Sequence, residues 1–189
     1  VIVVATGVIH LGGNPGKALM GPGRNGDRSG IGIYTGVGQP VTFGQTVRLA
    51  DGQHRSVTIL SVEVTGLSGV SVVGIRANGA NRGRNMATAE RGVPVPGLDR
   101  DPLPLPGAVV PEGSGETRSW GVELAIGLRR DEPGAGHAGG FDVRYRIGRK
   151  TYRQHFPTGM TVCAYPGYVQ TEPPPPRPPM ECDTFVPKA

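Results

Sequence analysis

Apolar and polar positions alternate with a period of two through most of the middle of the chain. Val41, Phe43, Gln45, Val47 and Leu49 hold one parity, and Thr42, Gly44, Thr46 and Arg48 hold the other. Successive side chains of a strand point to opposite faces, so this pattern predicts a strand with one face fit for burial. Residues 57–64 and 70–75 are read as the next two strands. The strongest case is Trp120, Val122, Leu124, Ile126 and Leu128 against Gly121, Glu123, Ala125, Gly127 and Arg129. Phe141, Val143, Tyr145 and Ile147 then alternate with Asp142, Arg144 and Arg146. Gly148-Arg149 is a tight hairpin signal, residues 151–156 run back from it, and Met160, Val162 and Ala164 close the series. Asp51-Gly52 reads as a turn and residues 131–136 as a loop.

About seven strands at such spacings, with no amphipathic helix, predict an all-β protein. The architecture expected is a two-sheet antiparallel β-sandwich, immunoglobulin-like but lacking the Cys…Trp…Cys framework of true immunoglobulin domains, with a jelly roll as the nearest alternative. The sandwich is expected over residues 30–165. Residues 1–29 form an arm that opens on the β-branched run from Val1 to Ile9 and continues with Gly12, Gly13, Gly16, Gly21, Gly23 and Gly26. Such a stretch is expected to be extended and to pack no core. Residues 77–118, with six prolines between Pro94 and Pro111, make a long excursion that reads as disorder or a surface wrap, Ala108-Val109-Val110 being a possible edge strand. Residues 166–189 form a tail with the run Pro173-Pro174-Pro175-Pro176-Arg177-Pro178-Pro179, which favours polyproline II.

Composition narrows the picture. Gly (32) and Pro (19) exceed a quarter of the 189 residues, which excludes a helical bundle or coiled coil. No apolar run approaches 18 residues, so no transmembrane segment is expected. The formal net charge is +5, and Lys17, Lys150 and Lys188 are the only lysines among the 20 basic residues. That arginine bias, with abundant Gly, Pro, Ala and Val, is what GC-rich codons encode. Scattered charges with few aromatics argue against nucleic acid as a partner. Beginning at Val1 and not at Met, the sequence reads as a processed or truncated product, and Val1-Ile2-Val3-Val4-Ala5 as an export remnant or a β-prone arm.

Candidate chemistry is sparse. Cys163 and Cys182, an even pair late in a loop-rich chain, suit one disulfide in an oxidising compartment. Closing a loop of about 18 residues would contribute about 3 kcal/mol in the chain-entropy model. The alternative is two thiols in a reducing compartment. Gly21-Pro22-Gly23-Arg24-Asn25-Gly26 matches G-x-G-x-x-G, but no β-α-β unit surrounds it. His10, His54, His137 and His155 show no ligand spacing, so no metal and no cofactor is expected. A Ser119/His155/Asp142 hydrolase triad is conceivable on neighbouring strands, yet no nucleophile elbow supports it. Two features point to binding. The arm, led by Val1, Ile2, Val3 and Val4, is suited to adding as a strand to a partner's open sheet edge. Arg76, Arg82, Arg84 and Arg91, near the start of the 77–118 excursion, are suited to a protein interface.

Residues 140–156, GFDVRYRIGRKTYRQHF, followed by Met160-Thr161-Val162-Cys163, resemble the last hairpin and closing strand of small exported β-sandwich proteins of GC-rich Gram-positive bacteria. The resemblance is one of pattern over residues 30–163 and implies an extracytoplasmic location and a binding or scaffold role. It brings no catalytic residue. The function expected is therefore a non-enzymatic extracytoplasmic protein-binding module, an adaptor or accessory subunit of a secreted or cell-surface assembly. The alternative is a binding module for an anionic cell-envelope polymer, and a weaker one is a small hydrolase using His155.

Overall fold

The alternating stripes pair into sheets whose apolar faces meet. The computed structural model describes residues 17–21, 30–79, 89–91, 102–112 and 121–168. Its strands are β1 (Leu19–Met20), β2 (Gly30–Gly36), β3 (Val41–Leu49), β4 (Val57–Thr65), β5 (Ser71–Gly79), β6 (Ala89–Arg91), β7 (Pro102–Leu103), β8 (Val109–Val110), β9 (Val122–Arg129), β10 (Gly134–Ala138), β11 (Gly140–Ile147), β12 (Lys150–Phe156) and β13 (Gly159–Tyr165). One layer has the order β1-β3-β9-β5-β7, with β6 also on β3. The other consists of β12-β11-β4-β8 and β10-β13-β2.

These last two sheets are halves of one surface. Only Gly139 separates β10 from β11, and only Pro157 and Thr158 separate β12 from β13. The four strands are thus one long hairpin, turning at Gly148-Arg149 and broken where the register passes from Phe141↔Phe156 to Ala138↔Met160. Gly140 sits at that break with φ +155°, and a Cβ there would lie 2.3 Å from the carbonyl oxygen of Phe156. The bend therefore requires glycine.

The predicted stripes supply the core. Phe43, Val47 and Leu49 of β3 and Leu124, Ile126 and Leu128 of β9 face Ile59 of β4, Phe141, Val143 and Tyr145 of β11, and Met160 and Val162 of β13. The protein is all-β, with two facing layers in an immunoglobulin-like β-sandwich.

Several expectations are corrected. Pairing is antiparallel except that β2 lies parallel to β13, which places the first strand of the sandwich beside its last. Residues 134–138, read as loop, are β10; the glycines and alanines hide a strand that β13 holds from Ala164 to Met160. The excursion is not simply loop. Its described parts include β6 on β3 and β7 on β5, each pairing two or three residues, while β8 on β4 is the edge strand expected at 108–110. The arm does pack a core at one place: Ala18 and Leu19 are 3% and 2% exposed and belong to the main apolar cluster. A sandwich is open where its sheet edges diverge, and a small-large apolar pair is enough to close that gap.

Candidate partner-binding surfaces

Three surfaces of the sandwich are candidates for binding. The first is the mouth between β3 and β12, filled by residues 17–21. β1 pairs antiparallel with β3 through Leu19↔Leu49 and Met20↔Arg48, and Ala50 N–H donates to the Ala18 carbonyl at 2.9 Å. On the other side, Gln154 reaches from β12. Its Nε2 donates to the Leu19 carbonyl at 2.6 Å and its Oε1 accepts from Leu19 N–H at 3.2 Å. One side-chain amide thus supplies the two bonds that a neighbouring strand would make. The Tyr145 hydroxyl accepts from Ala18 N–H at 3.3 Å, and burial pushes that phenol's pKa up, so it remains neutral. Arg48 reaches Met20 Sδ at 3.0 Å, and Gly21 lies so close to the Phe156 ring that a Cβ would meet it at 2.4 Å.

The second surface is the outer face of β4, β11 and β12. The hairpin register sets Asp142 opposite His155, and β4 sets Glu63 on the other side of Asp142. His155 Nδ1 and Asp142 Oδ1 are 2.8 Å apart, and Arg153 Nε donates to Asp142 Oδ2 at 2.9 Å while its Nη2 reaches both Asp142 and Glu63. Burial raises the pKa of Asp142, but the hydrogen bonds and charges of His155 and Arg153 outweigh it and hold the carboxyl below its ordinary value. Arg144 lies directly opposite Arg153, a like-charge pairing that Arg153 relieves by turning to the two acids. Arg144, Arg146, Arg149 and Lys150 are exposed, Arg55 approaches the turn at Gly148, and none of the five has an ion pair among the described residues.

A depressed carboxylate pKa stabilises the fold above the unfolded value, near pH 4, and that contribution disappears as pH falls through the lower native value. Asp142→Asn is therefore expected to lower stability at neutral pH and to flatten its decline below pH 4. Urea midpoints from about pH 2 to pH 7 check this. Superimposable acid limbs in the two proteins would contradict it.

The third surface is the outer edge of β5. β7 covers only Ala77 and Asn78, and no described strand pairs along Ser71–Ile75 on that side. Ser71–Ile75 carries no charge and no proline, the exposed Arg76 follows it before the part that β7 covers, and Val72 and the preceding Leu67 are exposed by 38% and 45%.

The residues singled out from sequence fall differently. Val1, Ile2, Val3 and Val4, with Arg82, Arg84, Ser119 and Cys182, lie outside the described residues. Arg76 is exposed on β5, whereas Arg91 lies on β6, paired with Val41. β3 and β9 stand between those two strands, about 14 Å at the usual strand spacing, so these two arginines are not brought together. Cys163 is buried in β13 between Ala135 and Tyr34. Asp142 and His155 do meet, as the imagined triad requires, but Arg153 and Glu63 occupy the same cluster. Among the described residues no group of three His, Cys, Asp or Glu is arranged to hold a metal ion. Sequence reasoning missed Gln154 and Leu19, which had no signal beyond parity, and the β5 edge, whose β-branched residues were legible but whose exposure depends on strand order.

No family model matches this chain, and no curated protein matches it. Among solved structures it is similar to the ASH/PapD-like domain of human CEP192 (PapD-like domain 7), with a TM-score of 0.40 and 9% sequence identity, covering 88% of this chain and 99% of that one. The fold rests on the strand pairing described above.

Proposed function

We propose that the protein is a non-enzymatic, extracytoplasmic protein-binding module, acting as an adaptor or accessory subunit of a secreted or surface assembly. The observation that carries this reading is the β5 edge. Among the described residues nothing pairs with the outer side of Ser71–Ile75, where Val72 is exposed; an uncovered edge of this kind is a template for strand addition, and natural sheets usually blunt one with charge, proline or a cover. Here Ser71–Ile75 has a register shift between Val72 and Gly74, with a single charge, Arg76, at its end. The same reading pairs Cys163 with Cys182, which suits an oxidising compartment.

Val72→Lys places a charge on the edge at an already exposed site. It is expected to leave the unfolding midpoint nearly unchanged and to reduce capture of the partner, enriched by affinity purification on the wild-type chain, at least tenfold. Equal capture by both proteins would remove the β5 edge from the function.

The second reading, a site for an anionic envelope polymer, is favoured by the five cations around the β11–β12 hairpin. Charge-driven retention falls steeply as salt screens it, whereas strand addition at β5 does not. Salt dependence therefore separates the two.

A further inference from the structure

We infer that residues 17–21 are an exchangeable plug, and that the mouth between β3 and β12 accepts the same segment from a second copy of this chain, giving a reciprocal two-fold dimer. This stands apart from the partner reading at β5, because the mouth lies at the opposite edge of that sheet.

The argument starts from what holds the plug. Its anchors are the β3 edge, the Gln154 amide, the Tyr145 hydroxyl and the Phe156 ring. Each recognises local backbone or a small-large apolar pair, and none depends on which chain supplies it. The plug is also separable from the rest of the fold. β1 belongs to one layer, while β2, the next described strand, is held in the other by β13 over all seven of its residues. Withdrawal of the plug therefore breaks no pairing of β2. It does uncover Leu49 and Phe156 and leave the Gln154 amide without its two bonds, so an empty mouth is costly and a second occupant is favoured.

Competition between the two occupants is set by the connection. Eight residues lie between Gly21 and Gly30 and span at most about 30 Å. A short link gives its own plug an effective concentration in the millimolar range, falling towards zero if the link cannot span. The full chain is thus expected to be monomeric at micromolar concentration and to dimerise near millimolar. Deleting residues 23–27 is expected to move dimerisation into the micromolar range. Exchange of identical elements between copies closes with two-fold symmetry.

The test uses the register. Met20→Cys and Arg48→Cys are made in two differently tagged full-length chains, each in the native and the shortened-link form, then mixed and oxidised. Sedimentation velocity reads association, and mass spectrometry reads the link. A 20–48 disulfide joining the two tags, enriched in the shortened form and at high concentration, is the expected result. Monomers at every concentration with no interchain link overturn the proposal. So does a dimer without the 20–48 link, since another interface then holds it. If the shortened form fails to fold, the native-length pair at high concentration decides by the same two readouts.

Discussion

Leu19→Ala is expected to lower the free energy of unfolding by about 2–5 kcal/mol, the range for truncating a fully buried leucine. Leu19 is 2% exposed and lies against the shared core of both layers, although ten residues separate it from the first complete strand of the sandwich. The loss has two parts. Burial of the isobutyl group disappears and leaves a cavity, and the plug itself is loosened, so that the paired bonds from Gln154 and the bond to Tyr145 weaken with it. Lys17→Ala is the control, because Lys17 is exposed and such changes normally stay within about 0.5 kcal/mol. Guanidinium denaturation of both variants checks this. A Leu19 variant no less stable than the Lys17 variant would show that the arm contributes nothing to the core.

What could be read beforehand divides along a physical line. β3, β9, β11 and β12 announce themselves because burial of one face writes a period of two into the sequence, whereas in β4 the inward parity changes from Val57 and Ile59 to Val62 and Val64 across a register shift. The Asp142–His155 contact was equally legible, since the two-residue turn at Gly148-Arg149 fixes every opposite pair in the hairpin. β10 carried no such signal. Gly134, Ala135, Gly136 and Ala138 have little side chain to alternate, and what holds them is the backbone of β13. β1 is harder still: Ala18 and Leu19, two apolar residues in a glycine-rich arm, have no period, and their burial answers a gap that exists only once both sheets are assembled. The parallel β2–β13 pair and the caps β6 and β7 are likewise properties of the assembly, whereas β8 was legible in the apolar run at 108–110. The candidate surfaces follow the same division, because the charges of the β11–β12 face were visible as alternation, whereas the β5 edge is open only by virtue of strand order.

Gln45→Met is expected to raise the free energy of unfolding by about 2–4 kcal/mol, against the usual direction of core substitutions. Gln45 holds the inward parity of β3, between Phe43 and Val47, and is fully buried, yet neither its Nε2 nor its Oε1 has a hydrogen-bond partner among the described residues. Each unpaired polar group in a dry interior costs about 1–3 kcal/mol, and methionine nearly conserves the volume and unbranched shape of glutamine while removing both groups. The same substitution at Gln154 should do the reverse. Its amide is satisfied on both atoms by the Leu19 backbone, so Gln154→Met leaves a peptide group of the plug unpaired and is expected to cost about 1–3 kcal/mol. Urea unfolding of the two variants, with unchanged m-values, measures both signs in one experiment. Loss of stability in Gln45→Met would mean that this amide is held by a partner and that the interior of the sandwich is more polar than its stripes indicate.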